Sequence, residues 1–487
     1  MKKMKPVSPV ASPRALTQSI VTSAVVILFG VTVAAGGENS RKSSLRECLW
    51  VDGNSTVECR FADASVPDVD GLNAAANDRL LAVGGDERAV KTLRLQCFRR
   101  EERAKGEPER EGTAEEEEED AVPQGASLRQ ILDEALTRVE RRLEGDPWEQ
   151  LEELEVNGCP LGGQLSRIDL LFIASSLTSA TKLGRLRITS AFDEGGEGSH
   201  HHFPFAVKEA SAFHDGPGSL ADLDLSSNGL TSLPRGLLCP LRHTLVRLNL
   251  SSNALESISD IGLWDKRARV CRMVTLESLS LARNGLRLLP RGSFASLAGI
   301  RNLDISHNAI ARVAGKILND ANQLEVLNLA HNQLTRIPQD LLGGGNSSLR
   351  LTELYLSGNN LTAVPGPFLR RLTSLVLLNL SGNALQDDWL ATNPLSGLKS
   401  LVALDLSHNQ LTRLGAGQLS ELTSLQVLTV AHNRLLSVSE KSFTGLGLHA
   451  LVLAHNELTD LPVGLFDGLG HLNSLTLNHN SIRALHR

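Results

Sequence analysis

Residue types that occur in hydrolases stand close together at two places in this 487-residue sequence. Asp304, Ser306 and His307 supply a carboxylate, a hydroxyl and an imidazole, and the same three types recur within residues 405–408. A working catalytic triad needs one such set of side chains held in one pocket. Because the two sets recur at matching positions of a repeated pattern, we predict that they are structural and that the protein is not an enzyme.

Six histidines share one sequence context, directly before an asparagine. They are His307, His331, His408, His432, His455 and His479. A row of imidazoles can bind a metal ion or respond to pH. Other copies of the pattern hold Ser227, Arg283 or Gly358 at this place, which favours an ordinary turn position. We predict no metal site and no cofactor, and we keep pH sensing as a hypothesis.

Two segments have the composition of solvated loops. Residues 99–125 include six consecutive acidic residues at 115–120, and residues 192–218 are rich in glycine and contain His200, His201 and His202. Unpaired acidic runs are usually disordered, and adjacent histidines in a loop rarely converge on one metal ion. A calcium or basic-partner site in the acidic segment is the alternative. Because the net charge is −6 and no basic stripe appears, nucleic acid is not the expected partner.

The elements that must position these residues come from a repeat of the form L-x-x-L-x-L-x-x-N-x-L. Leu220, Leu223, Leu225, Asn228 and Leu230 fill it once. Its asparagine recurs at intervals of 23 to 31 residues, at Asn228, Asn253, Asn284, Asn308, Asn332, Asn359, Asn383, Asn409, Asn433, Asn456 and Asn480. This pattern is typical of leucine-rich repeats. We predict an α/β leucine-rich-repeat horseshoe with a parallel β-sheet on the concave face, an irregular or helical convex side and an N-terminal cysteine-containing cap.

Side-chain positions within the repeat are expected to have separate roles. The leucines point inward and stack between coils, and the asparagine amide binds backbone groups of neighbouring coils that would otherwise be buried without partners. The third and fifth positions point out of the concave sheet. Apolar residues occupy them at Val326, Tyr355, Leu377, Val427 and Val452. Exposed apolar side chains on a sheet indicate contact with a protein partner; a lateral surface that binds nothing is the alternative.

Five sequons predict N-linked glycans in an exported protein. They are Asn54, Asn249, Asn346, Asn360 and Asn379. Asn249 and Asn379 occupy the fifth position of the repeat, so glycans at these two residues would obstruct a partner on the concave face.

The sequence divides into four regions. Residues 1–35 combine a basic start, an apolar run and small residues before Gly36, which predicts a secretory signal peptide; a membrane anchor is the alternative. Residues 36–89 are expected to form the cap. Residues 90–218 are expected to hold degenerate repeats, the two loops and a helix at 127–143, and residues 219–487 eleven regular repeats. No later run is long and apolar enough to span a bilayer, so we predict an exported protein.

Six cysteines suit an oxidising compartment: Cys48, Cys59, Cys97, Cys159, Cys239 and Cys271. Six cysteines allow fifteen pairings, among which sequence alone does not choose. The repeat phase puts Cys97 and Cys159 about one strand spacing apart if their coils are neighbours. Residues 48 and 59 suit a capping hairpin, and residues 239 and 271 flank the longest repeat. Zinc binding is a weaker alternative, because no C-x-x-C spacing is present.

The irregular features of the sequence resemble the N-terminal half of an arthropod Toll receptor ectodomain, in the long-ectodomain subgroup that includes Tollo. The resemblance runs from Cys48 to Arg487 and rests on residues 47–50 with Cys59, residues 93–97, 151–159 and 233–239, Cys271 after the long repeat, and Trp389. It implies a single-pass cell-surface receptor with a cytoplasmic signalling domain, acting in innate immunity or developmental patterning. It also implies the disulfides Cys48–Cys59, Cys97–Cys159 and Cys239–Cys271.

The partners that this resemblance implies are cystine-knot cytokines of the Spätzle type and other repeat receptors, with receptor dimerisation as a further expectation. The acidic segment after Cys97 departs from the family pattern, and the later repeats, the membrane span and the signalling domain are absent. We therefore expect an extracellular fragment that binds without signalling and reaches a membrane only through a missing C-terminal span. A secreted matrix or adhesion protein, or a soluble decoy receptor, is the alternative.

Overall fold

The computed structural model describes the backbone of residues 48–50, 56–62, 92–98 and 260, and the backbone and side chains of residues 151–157, 182–189, 219–233, 238–259, 261, 271–343 and 350–483. Several predicted features lie outside these residues: the signal peptide, most of the cap, the acidic segment 99–125, the helix at 127–143, the loop 192–218, Asn54, Asn346 and Cys159.

The strands are short and regularly spaced along the chain. In order they are β1 (Cys48–Trp50), β2 (Thr56–Ala62), β3 (Thr92–Phe98), β4 (Glu153–Asn157), β5 (Arg185–Thr189), β6 (Asp222–Asp224), β7 (Arg247–Asn249), β8 (Ser278–Ser280), β9 (Leu288–Leu289), β10 (Asn302–Asp304), β11 (Arg312–Val313), β12 (Val326–Asn328), β13 (Glu353–Tyr355), β14 (Leu377–Asn379), β15 (Ala403–Asp405), β16 (Arg413–Leu414), β17 (Val427–Thr429), β18 (Ser437–Val438), β19 (Ala450–Val452) and β20 (Ser474–Thr476). Short helices include α1 (Gly366–Leu369), α2 (Asp387–Ala391) and 3-10 turns at Cys239–Leu241 and Ile258–Ile261.

Sixteen of the described strands form one sheet, in the order β1-β2-β3-β4-β5-β6-β7-β8-β10-β12-β13-β14-β15-β17-β19-β20. β1 and β2 pair antiparallel as a hairpin, and β2 then pairs in parallel with β3. The pairs that follow along this sheet are parallel as well. Two smaller sheets pair β9 with β11 and β16 with β18. The predicted leucine-rich-repeat solenoid with a parallel sheet is confirmed.

The alternation of side chains along each three-residue strand decides which residues enter the core. In β13 the central Leu354 is fully buried while Glu353 and Tyr355 on either side remain partly exposed. The central leucines lie in register from strand to strand, so that Leu354 has Leu327 and Leu378 as its neighbours. A leucine at this position therefore packs between leucines of adjacent coils, which one coil could not achieve alone.

The connecting segments close the opposite side of each coil. Phe294, Phe368 and Phe443 are at most 1% exposed and pack in the same continuous core as the strand leucines. Trp389 in α2 is also buried, and its Nε1–H donates a hydrogen bond to the Val364 carbonyl at 2.8 Å. Within the described ranges, no helix has the length and apolar character that a bilayer crossing requires.

Candidate functional site

The repeated asparagines line one edge of the sheet and join each coil to its neighbour. Asn308 shows the pattern: its Nδ2 donates to the carbonyls of Leu281 in the preceding coil and of Ile305 and Ser306 in its own, at 3.0 to 3.1 Å. Its Oδ1 accepts the Leu286 amide at 3.1 Å. The same kinds of contact recur from Asn253 to Asn480. Each amide thus satisfies backbone groups that would otherwise be buried without partners.

The carboxylates of the two triad-like sets bind backbone amides and not imidazoles. Asp304 Oδ1 accepts the Ser306 amide at 3.0 Å, and Asp405 Oδ1 accepts the Ser407 amide at 2.9 Å. Burial raises the pKa of Asp405, while its hydrogen bonds from Ser407 act in the opposite direction. Asn379 makes the same bond to the amide of Ser381 at 3.0 Å. The acid at this position therefore closes a turn that an asparagine closes equally well.

The N-terminal part of the concave face carries two rows of alternating charge, which the sequence analysis missed. In the first row Arg185 lies between Glu153 and Asp222, at 2.9 and 3.2 Å. In the second row Arg187 lies between Glu155 and Asp224, at 2.8 and 3.3 Å. The signal was present as E-x-E, R-x-R and D-x-D at residues 153–155, 185–187 and 222–224, the third and fifth positions of three successive coils.

These ion pairs affect the charge of the face more than its stability. Hydrogen bonds that Arg185 and Arg187 donate to the carboxylates of Glu153 and Glu155, respectively, raise the pKa values of the two arginines. Both arginine side chains remain more than 40% exposed, so each pair contributes little to the free energy of folding. Because acids and bases alternate, this part of the sheet presents no extended patch of one sign.

The C-terminal part of the concave face is apolar in one row. Leu377, Ala403, Val427 and Ala450 occupy the third position of four successive coils and lie side by side in register. Ala403 and Val427 form a small buried cluster against which Leu377 and Ala450 pack. The sequence predicts Val427 on the surface, whereas the structure leaves it only 3% exposed, because its neighbours in the row are apolar too. We call these four residues the apolar row.

The other predicted contact residues lie around this row or apart from it. Tyr355 is in β13, where it lies opposite Asn379 of β14, while Leu377 of β14 lies opposite Glu353. The Tyr355 hydroxyl donates to Glu353 Oε2 at 2.8 Å. Burial and this carboxylate raise the pKa of Tyr355. Val452 follows Ala450 on β19 at the fifth position, between Thr429 and Thr476. Val326 lies two strands before Leu377, between Asn302 and Glu353, so the structure does not bring it into the row.

The histidines that precede the asparagines stack on one another. The rings of His408, His432, His455 and His479 follow in one column with centroids 4.2, 4.0 and 4.0 Å apart and interplanar angles of 9 to 15°. His307 and His331 form a separate pair at 4.3 Å. All six backbones are left-handed, with φ between 51 and 57°. The described residues contain no group of three or more His, Cys, Asp or Glu arranged to hold a metal ion.

The stacked rings predict acid sensitivity of the fold. Partial burial and the neighbouring imidazoles lower the pKa of His432, and burial, His331 and Arg283 lower that of His307. A histidine whose pKa is lower in the folded state than its unfolded value of about 6.5 binds fewer protons when folded. The free energy of unfolding is therefore expected to fall as the pH decreases below about 6.5. Melting temperatures at pH 7.5 and 5.5 test this.

The variant His432→Ser should show a smaller loss of melting temperature between the two pH values than the parent protein. His243→Ser is the control, because His243 lies outside both stacks. An equal decrease in melting temperature between pH 7.5 and 5.5 in the parent protein and in His432→Ser would show that the histidine stack does not cause the acid sensitivity.

The cysteines of the longest repeat are joined. Cys239 and Cys271 form a disulfide across 32 residues, with their Cα atoms 5.1 Å apart. The backbone register of the N-terminal hairpin sets Cys48 opposite Cys59. Cys97 lies in β3, which is the direct neighbour of β4.

The described sequons occupy two kinds of position. Asn249 and Asn379 end strands β7 and β14, and the Oδ1 atoms accept the amides of Ser251 and Ser381 at 3.1 and 3.0 Å. Asn360 is exposed beside the asparagine edge, directly after Asn359.

Comparison with known proteins agrees with this architecture. The leucine rich repeat family model matches six segments between residues 274 and 487. Fibromodulin from Oryctolagus cuniculus is 33% identical over 140 residues, covering 29% of this chain and 90% of that sequence. The chain therefore belongs to the leucine-rich repeat family. Tsukushi from Gallus gallus is 35% identical over 188 residues, and keratocan from the same organism is 29% identical over 192.

The sequence relatives match a smaller share of this chain than the Toll structure does. The chain spans about half the length of keratocan and Tsukushi, 48% and 47%, and these matches cover 39% and 38% of this chain. The structure of the Toll–Spatzle complex from Drosophila contains a chain that aligns with a TM-score of 0.53 and 20% identity. That alignment covers 89% of this chain and 55% of the other. At this identity the likeness concerns the fold.

Proposed function

We propose that this chain is the extracellular ligand-recognition region of a Toll-like cell-surface receptor and that it binds a protein ligand on its concave sheet. The observation that carries the proposal is the apolar row of Leu377, Ala403, Val427 and Ala450 on a sheet whose other described outward positions are largely polar. An apolar row on an outward sheet face favours a protein partner. The Toll assignment is supported by the resemblance in sequence and by the fold of the Toll–Spatzle complex.

A cystine-knot cytokine of the Spätzle type is the ligand that we propose for this surface. Leu377 and Tyr355 are its central contacts, because each is partly exposed and they lie on neighbouring strands. A few residues near the centre of a protein interface, among which tyrosine is enriched, contribute most of the binding free energy. The alternating ion pairs of β4 to β7, which three strands separate from β13, would neutralise one another and favour no ligand of one charge sign. Enzymatic activity is not part of the proposal.

The double substitution Tyr355→Asp with Leu377→Asp tests the contact surface. Two carboxylates at the centre of an apolar interface should abolish the capture of a Spätzle-type ligand, because they would be buried without partners. Surface plasmon resonance with the purified ligand measures the effect, and melting temperature checks that the variant folds. Asn302→Asp is the matched control at the third position of an earlier coil. Unchanged binding by the double variant would remove this surface from the proposal.

A secreted matrix or adhesion protein is the second candidate, and the sequence relatives favour it. Keratocan, Tsukushi and fibromodulin match this chain at 29 to 35% identity, compared with 20% for the Toll chain. A soluble decoy receptor would have the same surface. The full-length transcript discriminates between the candidates: continuation beyond Arg487 into further repeats, a hydrophobic span and a signalling domain supports the receptor. A transcript that continues without such a span supports the secreted protein.

Several features of the exported form belong to the same proposal. We assign residues 1–35 to the signal peptide, 36–89 to the cap, 90–218 to degenerate repeats and 219–487 to regular repeats. The opposition of residues 48 and 59 and the adjacency of β3 and β4 support the disulfides Cys48–Cys59 and Cys97–Cys159. N-linked glycans at the five sequons remain a prediction; one at Asn379 would lie beside Tyr355 and compete with the ligand.

A further inference from the structure

The imidazole column, defined as His408, His432, His455 and His479, is an exposed and geometrically regular feature that the proposed contact surface does not use. Its rings are held parallel by backbones that share a left-handed φ of 51 to 57° and by strands paired in register. The column is continuous over four coils, whereas Gly358 and Gly382 occupy the same position in the two preceding coils and separate it from the His307–His331 pair.

The charges around the column leave it without a matching row of acids. The charged groups that affect the titration of His432 are the other three imidazoles. Asp405 interacts with His408 but is buried and turned to the Ser407 amide. Arg434 and Glu457 follow the asparagine in two of these coils and have opposite charges, so they add no net charge. Protonation would therefore produce a line of cations whose mutual repulsion a bound anion relieves.

The column and the apolar row share three coils. The third positions Ala403, Val427 and Ala450 lie in the strands that directly precede His408, His432 and His455. A polypeptide can present apolar and acidic side chains together, whereas an acidic polysaccharide would leave the apolar row uncovered. The juxtaposition therefore favours a protein partner over a glycan.

We propose that the imidazole column is an acid-dependent binding site for an acidic segment of a polypeptide whose apolar residues cover the apolar row. Each protonated imidazole offers an N–H donor, and carboxylates that bridge neighbouring rings form charge-assisted hydrogen bonds. Above the histidine pKa the donors lose their charge and the acidic segment is released. This inference rests on the proposed function in one respect, the use of the concave sheet for a protein ligand.

The experiment uses an octapeptide of alternating glutamate and leucine as the probe and fluorescence anisotropy as the readout. Its affinity for the whole protein is expected to be about tenfold higher at pH 5.5 than at pH 7.5. The variant His432→Ser with His455→Ser should lose this difference. Serine stands at the same position with φ of 58 and 55° at Ser227 and Ser252, so the exchange preserves the backbone. His307→Ser with His331→Ser is the matched control and should retain the difference.

Three outcomes would overturn the proposal. The first is affinity that does not change with pH. The second is a pH dependence that survives in the His432 and His455 double variant, because the charge then arises elsewhere. The third is equal or tighter binding at pH 5.5 of a hyaluronan octasaccharide, which carries the same number of carboxylates and no apolar side chains. If the protein bound the peptide in an acid-dependent way but did not bind a Spätzle-type ligand, the proposed receptor function would be contradicted. The imidazole column would still be a binding site for an acidic polypeptide.

Discussion

Replacement of Asn308 by alanine is expected to lower the free energy of unfolding by about 2–4 kcal/mol, because one side chain satisfies several backbone groups at once. The substitution removes the donor to the carbonyls of Leu281, Ile305 and Ser306 and the acceptor for the Leu286 amide. A methyl group cannot replace any of these bonds. Two of the lost contacts join neighbouring coils, so the damage extends beyond the coil that carries the substitution.

Urea unfolding of the whole protein measures this loss, with Asn302→Ala as the control. Asn302 has the same side chain and belongs to the same coil, but it is exposed on the concave strand β10. Its replacement should change the free energy of unfolding by about 0.5 kcal/mol or less. Equal effects of the two substitutions would mean that the amide bonds of the asparagine edge do not stabilise the solenoid.

Replacement of Leu378 by alanine is expected to cost about 2–5 kcal/mol, the usual range for a fully buried leucine. Leu378 is 0% exposed and lies between Leu354 and Leu404 of the adjacent coils. The cavity left behind cannot collapse easily, because leucines fix both of its sides. The free energy of unfolding from urea titration is the measurement.

The preceding residue provides the control for Leu378. Leu377 has the same side chain one position earlier, and the alternation of a strand turns it to the concave face. Leu377→Ala should cost about 1 kcal/mol or less, because the side chain is only partly buried against the apolar row. A larger loss in Leu377→Ala than in Leu378→Ala would contradict the assignment of the two faces.

The sequence was sufficient for the features that repeat within a single coil. The spacing of Leu220, Leu223, Leu225 and Asn228 defines where the chain enters a strand and where it turns out, because these choices depend on local periodicity. The sequence also showed that Cys239 and Cys271 flank the longest repeat, and the structure joins the two residues. The triad-like residues were explained in the same way, as turn positions of the template.

Contacts between coils were harder to predict, because they depend on the register of strands that lie 20 to 40 residues apart in sequence. The charges at residues 153–155, 185–187 and 222–224 were visible, but only the paired strands place Arg185 between Glu153 and Asp222. Val427 is apolar and at an outward position, yet its apolar neighbours on both sides leave it buried.

The sequence by itself determined the coil: which leucines enter the core, which asparagines bind the backbone and where each strand ends. It does so because these roles follow from a short pattern read along the chain. Only the tertiary structure decided which side chains of different coils meet: the rows of alternating charge and the apolar row on the concave face, and the stacked imidazoles beside the asparagine edge. These features exist only where parallel strands set side chains of different coils next to one another, at a spacing that no single repeat contains.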